Sequence, residues 1–287
     1  MIPISFTRIP TGIPTLDTII KGGFPSGSLV LLTGEVGAGN TEFAYTSAAM
    51  LSMLKSNTER FRMLKEQLSI LIMKGEEMRL PEKICYISFS HSKEDILTEF
   101  KHAFSPELMS ELSEKMIFTD MSPASVFPCN GDEWLSIKAL RSVDEESQFL
   151  KKLICILDTC APNSVVIIDS LNSLIHSCNR LMTWSDTISF IEELQRKSKK
   201  WDGLVYLMLG RGILDGNKEK EIMDITDGVL VFEWFIEGFL RQQAMYMTKF
   251  RGIMPHIARD NIVRFDTMVT NNEGFVVTNV KRIFGRK

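Results

Sequence analysis

Apolar residues recur along this chain in two rhythms. Short runs with little polar alternation stand at 28–33, 84–89, 116–119, 165–168 and 203–209, and each reads as a buried strand. Between them the spacing becomes helical. Phe149, Leu150, Leu153, Ile154 and Leu157 fall at i, i+1, i+4, i+5 and i+8, and Ile188, Ile191 and Leu194 form a stripe farther on. Strands separated by helices predict an α/β fold with a mostly parallel central sheet flanked by helices. Past residue 228 the rhythm shortens. Strand candidates at 229–233, 244–250, 262–265 and 275–280 are separated by turn residues, which predicts C-terminal antiparallel hairpins closing one sheet edge.

Two segments interrupt this order. Residues 55–80 are rich in Leu, Met, Glu, Lys and Arg and free of proline, so they read as a helical insertion. Its apolar positions Phe61, Leu64, Leu68, Leu71 and Ile72 need a partner surface, either the chain's own core or a subunit contact. Residues 120–146 hold two prolines, Gly131 and acidic clusters without a sustained period, and read as an irregular insertion that can lie over a ligand pocket. No internal repeat appears. The 287 residues, 44% of them hydrophobic, suffice for the core of a single domain over 1–287.

Composition narrows the function classes. No run approaches the roughly 18 apolar residues of a membrane span, and the N-terminus lacks a secretory layout, so a cytoplasmic location is expected. A formal charge of −3, from 33 basic and 36 acidic residues, gives no global attraction to nucleic acid or anionic lipid. Cys85, Cys129, Cys155, Cys160 and Cys178 are odd in number and without zinc spacing, which favours reduced core thiols.

The chemistry concentrates at 34–41, Gly-Glu-Val-Gly-Ala-Gly-Asn-Thr. A strand leads in and a helix-compatible segment leads out, so Gly34, Gly37, Ala38, Gly39, Asn40, Thr41 and Glu42 are the candidate nucleotide-binding residues. In a G-x-x-x-x-G-K-[ST] loop, backbone N–H groups and a helix dipole cradle phosphate while the lysine reaches the β/γ-phosphates. Here Asn40 stands where that lysine belongs. The cradle survives the substitution, but a charge-assisted bond worth about 1.5–3 kcal/mol does not. Glu35 and Glu42 repel the same phosphates unless they point outward. A glycine-rich turn that merely packs a helix on a sheet is the plainer alternative.

Three ordered segments weigh against that alternative. Residues 8–34, Arg-Ile-Pro-Thr-Gly-Ile-Pro-Thr-Leu-Asp through Lys-Gly-Gly-Phe-Pro-Ser-Gly to Leu-Leu-Thr-Gly, resemble the N-terminal signature of the KaiC-like branch of the RecA-like P-loop ATPases, in its archaeal single-domain, RadA-related form. Residues 165–174, Val-Val-Ile-Ile-Asp-Ser-Leu-Asn-Ser-Leu, are similar to that family's second nucleotide motif, and Lys249-Phe250-Arg251-Gly252 is similar to its Lys-x-Arg-Gly segment. The resemblance implies ATP or ADP with Mg²⁺, the ion held by Thr41 and by the water-shell acid Asp169. It further implies that Lys249 and Arg251 reach the nucleotide of a neighbouring subunit, in a homo-oligomer such as a hexameric ring. The family's catalytic acid lies in a glutamate pair just past the second strand. This chain reads Ile87-Ser88-Phe89-Ser90-His91-Ser92 there, so Ser90 and His91 replace the pair. His91 and Glu94 are the substitute catalytic candidates, and neither restores the pattern.

Loss of both lysine and base favours a nucleotide-binding regulatory or signalling protein with weak or absent hydrolysis, a pseudo-ATPase that acts through its own oligomer or a protein partner. One alternative is an active ATPase completed by trans residues such as Lys249. Another is a recombinase paralogue binding DNA through residues 176–184, with Arg180, and 210–221. In the second segment Arg211, Lys218 and Lys220 are balanced by Asp215, Glu219 and Glu221, and the basic tail adds Lys281, Arg282, Arg286 and Lys287. A scaffold with a dead pocket is the fourth reading.

Overall fold

The computed structural model describes residues 6–69, 76–126, 143–179, 181–250, 253–254 and 262–282. The first half runs β1 (Phe6–Ile9), α1 (Pro14–Ile19), β2 (Phe24–Pro25), β3 (Ser28–Gly34), α2 (Asn40–Ser56), α3 (Thr58–Ser69), β4 (Glu76–Met78), β5 (Ile84–Ser88), α4 (Lys93–Ala103), α5 (Pro106–Lys115), β6 (Ile117–Asp120) and α6 (Pro123–Val126). The second runs α7 (Val143–Cys160), β7 (Val165–Asp169), α8 (Leu171–Ser177), α9 (Trp184–Trp201), β8 (Leu204–Gly210), α10 (Gly216–Ile225), β9 (Gly228–Glu237), β10 (Leu240–Phe250), β11 (Ile262–Thr270) and β12 (Gly274–Arg282).

The large sheet has the order β12-β11-β10-β9-β3-β8-β7-β5-β6. From β9 to β6 the pairs are parallel, and from β9 to β12 antiparallel, as the two rhythms predict. Apolar layers cover both faces. Val30, Leu32, Ile167 and Tyr206 pack with Phe43, Ala44 and Ala48 of α2 on one side. Leu29, Leu31, Val166 and Ile168 pack with Phe149 and Leu153 of α7 and Ile191 of α9 on the other. A strand buried on both faces has no polar side to show, which is why these strands read as unbroken runs.

Three details depart from the sequence reading. The residue range 55–80 is helical only as far as Ser69 in its described part, and it ends in β4, which pairs in parallel with β1 in a second, three-stranded sheet. What fixes that strand is Arg8, whose guanidinium grips the Glu76 carboxylate, and Met78, which is buried. Of the insertion's apolar positions, Leu68 is buried, while Leu71 and Ile72 lie outside the described residues. The β9–β10 hairpin runs longer than expected because its tip, with Ile236, Phe239 and Leu240 exposed, is held by backbone pairing without alternating burial. Cys85, Cys160 and Cys178 are buried thiols, but Cys155 is exposed, and Cys129 lies outside the described residues. So does most of the 120–146 segment, between α6 and α7.

Asp17 anchors the N-terminal turn. Its fully buried carboxyl accepts the Thr11 N–H at 2.7 Å, the Thr11 hydroxyl at 2.8 Å and the Gly12 N–H at 3.0 Å, while Gly12 takes φ +81°. Burial pushes the group up to about 7, outweighing these three donors. The folded chain therefore holds a proton that the unfolded chain releases near pH 4, and the associated stability, fully present below that pH, is lost as pH rises through about 7. We expect the stability advantage of wild type over Asp17→Asn to shrink from pH 4.5 to pH 7.5, by about 3 kcal/mol, in paired thermal melts. An advantage that grows with pH would show that the three donors win over burial.

Candidate nucleotide site

The phosphate loop leaves β3 at Gly34 and enters α2 at Asn40. Gly37 at φ +72° and Gly39 at φ +105° supply backbone angles that side chains with a Cβ rarely adopt, and Gly39 is the residue that caps α2. Glycine offers no capping side chain, so the first-turn N–H groups and the helix dipole face the loop's concavity.

The C-terminal hairpins brace this loop from behind. Trp234 donates its indole N–H to the Val36 carbonyl at 3.1 Å, and Gln243 donates its amide to the Gly37 carbonyl at 2.9 Å. The Phe275 ring sits 3.1 Å from where a Cβ on Gly39 would stand. Glu35 is tied to the same hairpin, its backbone N–H donating to the Phe232 carbonyl at 3.1 Å and its carboxylate accepting the Trp234 backbone N–H at 3.4 Å. Asn40 folds back on the loop floor: its Oδ1 lies 2.9 Å from a Cβ built on Gly34. Thr41 and Glu42 follow in the first turn, both half-buried.

Across β8, Asp169 closes β7 beside Ser88 of β5. The Tyr86 hydroxyl donates to Asp169 Oδ2, and the Tyr45 hydroxyl of α2 stands 3.0 Å from that of Tyr86. Both phenols are buried, and their rings stack at 5.5 Å. Burial raises the Asp169 carboxyl above the usual range, with the Tyr86 bond and the His91 charge opposing and Glu99 adding to the rise. Burial, then the nearby Asp169 charge, raises both phenols, so they stay protonated donors.

The catalytic candidates fall unevenly. His91 is exposed, hydrogen-bonded through Nδ1 to the Ser90 hydroxyl at 2.9 Å, and within electrostatic range of Asp169. Glu94 is exposed in the first turn of α4. Glu99, on the same helix, lies within range of both Asp169 and Tyr45 and was not singled out by the sequence. Neither were Tyr45 and Tyr86. A phenol two residues before the end of an apolar strand is the local trace of Tyr86, and only the pairing of β5 with β7 puts it on the same sheet face as Asp169.

Lys249 binds within its own chain. Its ammonium donates to the carbonyls of Met223, at 3.2 Å, and Asp224 at the end of α10. Arg251 and Arg180 lie outside the described residues. Two of the basic residues of 210–221 meet local partners: Arg211 pairs with Glu233 at 2.6 Å, and Lys218 sits over the Trp184 ring at 4.9 Å.

Residues 9–58 match the family model described as the ATPase KaiC. That stretch holds the N-terminal turn, the phosphate loop and all of α2. Among solved structures, a KaiC-like protein from the hyperthermophilic archaeon Pyrococcus horikoshii OT3 matches with a TM-score of 0.60 at 20% identity, covering 95% of this chain and 99% of that one. Residues 9–58 of this chain are thus similar to the KaiC ATPase, and the chain shares the fold of that KaiC-like structure. No curated protein sequence matches the chain. Proteins of the KaiC-like ATPase family bind nucleotide, generally ATP with Mg²⁺, and often form oligomers. No helix among the described residues is long and apolar enough to cross a membrane.

The residues present do not fit the family's magnesium ion. Thr41 and Asp169 are oxygen donors of the right kind, but Oδ2 of Asp169 already accepts the hydroxyl of a buried phenol, Tyr86. The surroundings of that phenol are aromatic, with Tyr45 on one side and Phe118 stacked at 5.7 Å on the other, where Mg²⁺ needs room for an octahedral shell rich in water.

Proposed function

We propose that this chain binds a nucleotide at residues 34–41 as a regulatory or assembly ligand and hydrolyses it weakly or not at all. The observation that carries this reading is Asn40. The loop around it keeps the glycine angles, the helix N-terminus and the bracing hydrogen bonds of a phosphate cradle, while the charge that would grip the terminal phosphates is replaced by a neutral amide folded onto Gly34. Ser90 and His91 stand where the family's catalytic glutamates would, which removes a second contributor to turnover. Completion of the site by Lys249 from a neighbour would require that side chain to leave the end of α10.

The test is a thermal melt with and without millimolar nucleotide, alongside a long-incubation phosphate-release assay. A ligand at about 100 times its Kd stabilises by roughly 2.7 kcal/mol, which in a chain of this size moves the midpoint by about 5–10 °C. We expect that shift without phosphate release. Absence of any shift, including in Asn40→Lys, would leave a scaffold with a dead pocket.

A further inference from the structure

We propose that the cradle at residues 34–41 is a magnesium-independent site for a nucleoside diphosphate, with Tyr86 occupying Asp169 in the role that a hydrated metal ion plays elsewhere in the family. The inference rests on the nucleotide-binding reading above and adds the ligand class.

It follows from how each phosphate would be met. Loop amides and a helix N-terminus satisfy the phosphates nearest the nucleoside, whereas the third phosphate depends on the loop lysine and the metal ion. This chain lacks the lysine, and the amide in its place lies against Gly34. The acid that would orient a metal-bound water instead accepts the Tyr86 hydroxyl. That phenol is held firmly: it is fully buried, its ring lies between those of Tyr45 and Phe118, and its oxygen meets the Tyr45 hydroxyl at 3.0 Å. Swinging it away to admit an ion would break two ring stacks and leave a buried hydroxyl short of a partner.

Charge points the same way. The carboxylates of Asp169, Glu99 and Glu42 all lie in electrostatic range of Tyr45, on the helix that carries the cradle. The cations named above, Arg211 and Lys249, are engaged by Glu233 and by the end of α10. A third phosphate would add negative charge next to acids, with neither lysine nor metal to offset it.

Isothermal titration of the full chain with ADP and with ATP, each in MgCl₂ and in EDTA, tests this directly. ADP should bind at least about fivefold more tightly than ATP, because the third phosphate brings negative charge next to acids with nothing to offset it, and the Kd of ADP should change by less than about twofold between the two buffers. Tyr86→Phe, which removes one oxygen without changing the ring, should make magnesium strengthen nucleotide binding, and Asn40→Lys should return the preference to ATP. Near-ultraviolet circular dichroism checks that both variants keep their aromatic packing. If wild type binds ATP more tightly than ADP and magnesium enhances binding, the inference falls while the nucleotide site stands. A Tyr86→Phe protein still indifferent to magnesium likewise overturns the role given to the phenol. If neither nucleotide binds in either buffer, the nucleotide-binding reading itself fails and this inference fails with it.

Discussion

Arg8→Ala is expected to destabilise the fold by about 3–5 kcal/mol, the cost of stranding one member of a buried ion pair. The Arg8 side chain is 3% exposed and that of Glu76 9% exposed. Two parallel contacts join them, Nε to Oε2 at 2.5 Å and a terminal nitrogen to Oε1 at 3.0 Å, and a further nitrogen donates to the carbonyls of Ile20 at 3.2 Å and Gly23 at 3.1 Å. One side chain therefore ties β4 to β1 and fixes the turn that delivers the chain into β2 and β3. Alanine would leave Glu76 charged and unpaired and two carbonyls without their donor. At roughly 2–4 °C per kcal/mol, the melting midpoint should fall by about 6–20 °C. Arg8→Lys, which keeps the charge but not the two-pronged geometry, should fall between wild type and alanine. The double change Arg8→Met with Glu76→Leu should cost less than Arg8→Ala, since removing both charges leaves neither stranded. A loss below about 1 kcal/mol in Arg8→Ala would mean that water reaches Glu76 and that the pair behaves as a surface one.

That ion pair also marks where the sequence stops being legible. Strands β3, β5, β7 and β8 could be read because each is an apolar run flanked by helical spacing, and the phosphate loop could be read because its glycines sit between a strand and a helix. Strand β4 could not. It is a Glu-Glu-Met triplet with one buried residue, and it exists because Arg8, 68 positions away, reaches Glu76. The same limit applies in the site. Asn40 and Asp169 announce themselves by position in a motif, but the engagement of Asp169 by Tyr86 depends on strand order, register and facing, none of which a local pattern encodes. Glu99 was hidden for a related reason: it is an ordinary exposed helix acid until α4 is placed against the end of the sheet. The hold of Trp234 and Gln243 on the loop likewise joins residues about 200 positions apart. Local chemistry was readable, and the contacts that modify it were long-range.

Rebuilding hydrolysis is the second large effect, and it should not come in single steps. Asn40→Lys alone is expected to raise ATP affinity by about 10–100-fold, because it adds a charge-assisted contact to the terminal phosphates, with no phosphate release above background. Installing the glutamate pair alone, Ser90→Glu with His91→Glu, should also leave turnover at background, since an oriented water has nothing to attack when the γ-phosphate is not held. Combining both in a Tyr86→Phe chain, where Asp169 no longer serves the phenol, should lift magnesium-dependent release by at least about 100-fold over either partial variant. Groups that stabilise one transition state act as a unit, so their separate effects do not add. The informative failure is turnover in Asn40→Lys by itself. It would mean that a base is already in place, and Glu99, the carboxylate within range of Asp169, becomes the residue to remove. Loss of that turnover in Asn40→Lys with Glu99→Gln, at unchanged ATP affinity, would assign the base to α4 and would show that the chain gave up its lysine while keeping a carboxylate able to act.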